Sequence, residues 1–315
     1  MEKKDRLLAS TLKTLAYSQI FSFPLTKKEL YQRLITPPPA SFSCFEKKLR
    51  IFVNQKKVTA LQGYYFLPGN KKTAAKRITL TKNWKSKYQL AKKAAHFLAQ
   101  IPEVFFVGLT GTLALGIAKP QDDLDLMIIT APNTLWLTRL KIYFQLKTKG
   151  KKENLRARKP KSKKTNNQLC LNLFLDASNL ALEPKQQNLF TAYQIAFLKP
   201  LINKHQAYEQ FLAANSWTKN FLPNAFSAPN LAGCRSGNLR GFLAMASCKV
   251  EGKNITSLLC YFLQRFYMRG KPKAKKITLT QAFFHPQNQS AKTLKRFKAL
   301  TLKKSYHFLP RKHGG

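Results

Sequence analysis

Three short apolar runs constrain this chain most: "EVFFVGL" at 103–109, "LDLMIIT" at 124–130 and "QLCLNLFLD" at 168–176. Each is too short for a typical helix and is bounded by turn-forming residues, which predicts buried strands. Between the first two, "TGTLALGIA" reads as a turn and a short helix. Between the second and third, "PNTLWLTRLKIYFQLK" has helical periodicity, with Asn133 as its cap. Strand, helix, strand, helix, strand predicts an α/β core with mixed pairing. Upstream, a basic connector at 71–81 precedes a helical stripe of Trp84, Tyr88, Ala91, Ala95 and Leu98.

The flanking segments have a different character, so the expected fold is mixed α/β or α+β in three parts. In residues 1–70, Leu7, Leu8, Leu12, Leu15, Ala16 and Tyr17 recur at helical spacing. "PLTKKELYQRLI" opens with Thr26 followed by Glu29, a capping-box signature. Phe45, Leu49, Phe52 and Val53 mark a third helix, and "KKVTALQGYYFLPG" forms a hairpin around Gln62-Gly63. Three helices closed by a hairpin resemble a winged-helix domain. The resemblance would place Lys47, Lys48 and Arg50 of the third helix in a DNA groove, with Lys56 and Lys57 at the wing. Such domains also serve as protein-interaction modules, and the sequence leaves that choice open. The core spans 71–182. Residues 183–315 read as mostly helical with a basic tail, interrupted by a loop from about Pro223 to Gly241.

Charge narrows the partners. There are 56 Lys and Arg against 13 Asp and Glu in 315 residues, a formal charge of +43. A lysine-favouring genome would raise glutamate too, and glutamate is scarce. A field this positive attracts polyanions, with nucleic acid and nucleotides foremost. Five scattered cysteines without a Cys-x-x-Cys pair predict free thiols in a reducing compartment and exclude a zinc-ribbon pattern. The start has no clear signal-peptide pattern, and the longest charge-free stretch, Val104 to Ala118, falls short of a membrane span. A cytoplasmic protein without an integral membrane segment is expected.

Against that background, Asp122, Asp123 and Asp125 stand within four positions. Asp123 and Asp125 are two apart on a strand, so they leave the same face about 7 Å apart, where like charges repel unless a cation intervenes. Mg²⁺ or Mn²⁺ suits such a pair, completing its shell with water and phosphate oxygens. Upstream, Gly111-Thr112 opens a short helix whose free N–H groups can meet a phosphate. Helix-opening Gly-Thr, the spacer "LALGIAKPQD" and "DLDLMII" resemble the polymerase-β-like nucleotidyltransferase superfamily, over roughly residues 84–182. Threonine replaces the usual serine. The resemblance implies that Gly111 and Thr112 grip a nucleoside triphosphate and that Asp123 and Asp125 bind the metal. It also implies a third carboxylate on the third strand, where this chain offers Asn172, with Asp176 at the strand end.

The expected function is metal-dependent transfer of a nucleoside monophosphate from a triphosphate to an acceptor hydroxyl, with nucleic acid as the acceptor that charge favours. The alternative is a winged-helix DNA-binding regulator whose degenerate transferase domain senses nucleotide. Arg139, on the helix after the carboxylates, either reaches the triphosphate or lies at the surface. Lys119 in the spacer is a further candidate contact. The histidines show no ligand spacing, and His96 reads as packed. Asp122 reads as a loop acid. Trp136, Trp217 and "CYFLQRFYM" read as core, although "RGKPKAKK" beside that last stripe would also suit an anionic membrane. The basic loop Lys147 to Lys164 reads as a solvated segment that could guide nucleic acid.

Overall fold

The computed structural model describes residues 3–37, 40–69, 72–150, 152–153, 155, 168–226, 255–268, 276–284 and 288–308. The described residues are mixed α/β with two sheets. Helix α1 (Lys3–Ile20), strand β1 (Leu25–Thr26), α2 (Lys27–Gln32), α3 (Phe42–Asn54), β2 (Thr59–Leu61) and β3 (Tyr64–Phe66) form the first unit. The capping box expected at Thr26 is present: its hydroxyl accepts from Glu29 N, and Glu29 accepts from Thr26 N. Gln62 and Gly63 both take positive φ, +51° and +77°, as the type I′ hairpin turn between β2 and β3 requires. β1, which the sequence did not announce, pairs with β3 and gives the order β1-β3-β2.

Helix α4 (Lys72–Leu98) runs for 27 residues through the predicted basic connector. The connector is helical because Arg77 turns inward: it donates to Pro24 O and Glu29 Oε1, and its guanidinium lies 3.8 Å from the centre of the Phe23 ring. His96, expected to be packed, is exposed.

The three predicted strands are β4 (Val104–Leu109), β5 (Leu124–Thr130) and β6 (Leu169–Asp176), with α5 (Gly111–Ala114) and α6 (Leu135–Thr148) between them. Pairing is mixed as expected: β4 is antiparallel to β5, and β5 is parallel to β6. The sheet does not stop there. After α7 (Leu189–Ala196), β7 (Lys199–Asn203) joins the free edge of β4, and α8 (Ala207–Ala214) and α9 (Thr218–Phe221) follow. The segment "LKPLI", within the region expected to be mostly helical, is therefore an edge strand, where Pro200 is tolerated. After α10 (Ile255–Met268), β8 (Lys276–Ile277) and β9 (Gln281–Phe283) extend the other side. The six strands lie in the order β7-β4-β5-β6-β9-β8. Helix α11 (Asn288–Phe308) packs through Phe297 against Tyr17.

Alternation along β5 assigns the two faces of the sheet. Leu124, Leu126 and Ile128 share a core with α4, α6 and α10, while Met127 and Ile129 share another with Phe106 and α8. Asp125 falls on the second face by the same alternation.

Candidate functional site

The site forms where β4 ends, β5 begins and β6 passes alongside. Gly111 follows β4 with φ +68°, a left-handed turn that glycine adopts without strain. A Cβ there would stand 3.1 Å from Asp125 Oδ2, so glycine also lets the backbone lie against the carboxylate. Thr110 N and Oγ1 both donate to Asp125 O, at 2.9 and 3.2 Å, which fixes the turn to the strand. Asp123 immediately precedes β5, and Asp125 is its second residue.

Asn172 lies beside them, at a bulge. The β5–β6 register runs Asp125↔Cys170 and Leu126↔Leu171, then jumps to Met127↔Leu173, which leaves Asn172 as the extra residue. Its amide Nδ2 donates to Asp125 Oδ1 at 2.6 Å, and its Oδ1 accepts from the Cys170 thiol at 2.8 Å. Asn172, the residue the sequence offered on the third strand, therefore stands beside Asp125. A neutral amide stands there, and one of its N–H groups is spent on the carboxylate.

Two other predicted site residues lie elsewhere. Asp176 pairs with Thr130 at the far end of the same strands, roughly 17 Å along β5 from Asp125. Its carboxylate accepts from the N–H groups of Asn133, Thr134, Leu135 and Ser178 and from the Ser178 hydroxyl. It is the N-terminal cap of α6, a role the sequence assigned to Asn133. Arg139 is directed into the opposite face: it donates to Gln264 Oε1 and lies 4.6 Å from the centre of the Phe284 ring. Burial lowers its pKa to about 10. It holds α6 to α10 and is not available to a triphosphate at Gly111.

Asp122 is a loop acid, as expected, but a connected one. Its Oδ2 accepts from Lys119 N at 2.9 Å and from Thr112 Oγ1 at 3.3 Å, which closes the spacer on itself. Helix α4 grips the same spacer from outside. Leu80 O accepts from Ala118 N, Trp84 Nε1 donates to Leu113 O, and Lys87 Nζ donates to Asp122 O. Those three residues follow helical spacing on one face of α4. Burial depresses the Lys87 pKa, while Asp122 and Asp123 oppose the shift. Sequence reasoning passed over Lys87, and only the tertiary placement of α4 distinguishes it from the other lysines of that helix. Farther along the spacer, Leu115 and Ile117 pack into the hydrophobic core of the first unit.

On the first unit, Lys47 and Arg50 of α3 are exposed and Lys48 is half-buried; Arg50 lies 3.8 Å from Glu46, which also pairs with Lys27. The basic loop from residue 156 to Lys164 and the segment 269–275 fall outside the described residues. Among the described residues there is no cluster of three His, Cys, Asp or Glu side chains that could hold a metal, so Asp123 and Asp125 stand as a pair. No described helix is long and apolar enough to cross a membrane. Compared with protein-family models, with curated proteins and with solved structures, the chain matches none.

Proposed function

We propose that this chain is a nucleotidyltransferase of the polymerase-β-like kind, binding a nucleoside triphosphate between the Gly111 turn and the Asp123/Asp125 pair. The observation that carries the reading is the close approach of the Gly111 turn to Asp125, where an added Cβ would stand 3.1 Å from Oδ2. A triphosphate held at that turn would repel the carboxylate unless a cation lay between them. The donor set suits Mg²⁺ or Mn²⁺: Asp123 and Asp125 would hold it, while Oδ1 of Asp125 also accepts from Asn172. When bound, the metal would neutralise charge developing on the phosphates.

The acceptor hydroxyl oxygen bonds to the α-phosphorus as the bond to the bridging oxygen breaks, and pyrophosphate leaves. Asn172 has no basic atom to take the hydroxyl proton, so in this reading that proton would pass to water or to a phosphate oxygen of the substrate. Thr112 can turn its hydroxyl from Asp122 to a phosphate oxygen, and the field of a +43 chain draws nucleotide and nucleic acid alike.

Asn172 favours one second reading, a regulator in which the same site senses nucleotide without transferring it. The first unit would then be the working part. Its order of helices and its β1-β3-β2 sheet agree with a winged helix, whose third helix would offer Lys47, Lys48 and Arg50 to DNA.

Incubation with each labelled nucleoside triphosphate, Mg²⁺ or Mn²⁺, and an RNA pool tests both readings. Transfer that vanishes in Asp123→Ala/Asp125→Ala supports the enzyme, and transfer that survives refutes the site. Nucleotide binding without transfer, together with tight binding of duplex DNA, establishes the regulator.

A further inference from the structure

Helix α10 is built inside out. Its inward residues include Ser257 and Gln264, and the amide of Gln264 spans Arg139 and the carbonyl of Trp136. Its outward stripe is Ile255, Leu259, Phe262, Leu263, Phe266 and Tyr267, each between 58 and 72% exposed. The sequence placed "CYFLQRFYM" in the core, but of that stretch only Cys260, Tyr261 and Gln264 are buried, with Met268 packed against the same core. On the neighbouring α6, Tyr143 and Phe144 are also more than half exposed. Tyr143 continues the row of Trp136 and Arg139 that meets α10. Single exposed apolar residues are ordinary, but a contiguous set of this size marks a contact surface.

We propose that this face docks on an anionic phospholipid bilayer, with α10 lying in the plane of the interface. The first argument is shape: the helix is 14 residues long, too short to cross, and its exposed apolar residues fall at i, i+4, i+7, i+8, i+11 and i+12, the stripe of an interfacial helix. The second is charge. Immediately after α10 the sequence runs "RGKPKAKK", with Arg269, Lys271, Lys273, Lys275 and Lys276 in eight residues. A polybasic segment contiguous with an amphipathic helix is the pattern that anionic headgroups attract. The whole chain adds to that attraction at +43, and the same charge opposes the burial of this face against a second copy. Bases stacked on the aromatic rings would leave Ile255, Leu259 and Leu263 without an apolar partner, so the stripe fits acyl chains better than nucleic acid.

The test is co-sedimentation of the full chain with vesicles of phosphatidylcholine, with and without phosphatidylglycerol, at low and raised salt. Charge alone would carry binding at low salt, so the deciding measurement is at raised salt, where screening leaves the apolar contribution. Phe262→Ser/Phe266→Ser removes exposed rings without opening the core, and unchanged circular dichroism verifies the fold. Binding confined to phosphatidylglycerol vesicles, and weakened about tenfold or more by the double substitution, is the expected result. Equal binding by both proteins at raised salt would overturn the proposal. So would failure of the wild type to bind, or a wild-type dimer in sedimentation equilibrium that the substitution converts to monomer. Loss of single-stranded RNA binding in the variant, with vesicle binding intact, would reassign the face to nucleic acid.

Discussion

Gly111→Ala should separate backbone strain from damage to the site. An alanine at φ +68° costs about 1–2 kcal/mol in the left-handed region. Fewer unfolded conformations return about 0.4–1 kcal/mol, so the net loss of stability is on the order of 0.5–1 kcal/mol. Gly63 provides the control: its φ is +77° and a Cβ there would meet nothing within 4 Å. Gly63→Ala therefore carries the same strain and no contact. At Gly111 the new methyl stands 3.1 Å from Asp125 Oδ2, so the carboxylate must give way. It is not free to rotate, because Oδ1 is held by Asn172 at 2.6 Å. Urea unfolding should thus find Gly111→Ala less stable than Gly63→Ala, by up to about 1.5 kcal/mol, the net worth of the strained Asn172–Asp125 hydrogen bond. Calorimetric titration with Mn²⁺ and a non-hydrolysable nucleoside triphosphate should find Gly111→Ala weaker by about tenfold or more, some 1.4 kcal/mol. If Gly111→Ala binds Mn²⁺ and nucleotide as the wild type does, or if Gly63→Ala loses as much, the contact with Asp125 has no bearing on ligand binding.

Three further outcomes are expected. Asn172→Asp exchanges a hydrogen bond to Asp125 for like-charge repulsion; the metal-free protein should lose about 1–3 kcal/mol in thermal or urea unfolding, and Mn²⁺ should restore more stability than it gives the wild type. Asp176→Asn weakens the cap of α6, and unfolding should register about 1–3 kcal/mol while nucleotide affinity stays unchanged, since the residue lies at the far end of the strand. Burial works to raise the Glu29 pKa, but Arg33 and Arg77 outweigh it and hold the carboxyl below its ordinary value. A pKa depressed on folding contributes stability above the unfolded value of about 4.3 and loses it as pH falls through the folded value. Acid unfolding of the wild type should therefore steepen below that pH, and Glu29→Gln should flatten the profile.

What the sequence disclosed was local. The capping box at Thr26, the Gln62-Gly63 turn and the three central strands each depend on residues within a few positions of one another. The site was legible for the same reason, because Gly111, Thr112, Asp123 and Asp125 lie within 15 residues across one turn and one strand. Features that depend on distant partners stayed hidden. "LKPLI" falls within a region expected to be mostly helical and becomes a strand only because β4 has a free edge to fill. β8 and β9 are two and three residues long and carry too little pattern to detect. Arg139 lies in the right segment for a phosphate contact, but the direction of α6 sends it to Gln264 on the other face. Asp176 looked like a carboxylate at the end of the right strand; its task as a cap is set by four backbone N–H groups, three of them more than 40 residues away in sequence.

Ile117 and Leu115 belong to the spacer of the site, yet they complete the core built by α1, α2 and α3, and Arg77 of α4 reaches the same core. Shuffling modules at residue 70 would strip a plug from one half and its socket from the other. An exchange of the first unit for an unrelated one would need a compensating change in the spacer, inside the stretch that also positions the carboxylates. The two parts are therefore coupled by packing, and an unlinked first unit expressed alone should expose the seat of Ile117.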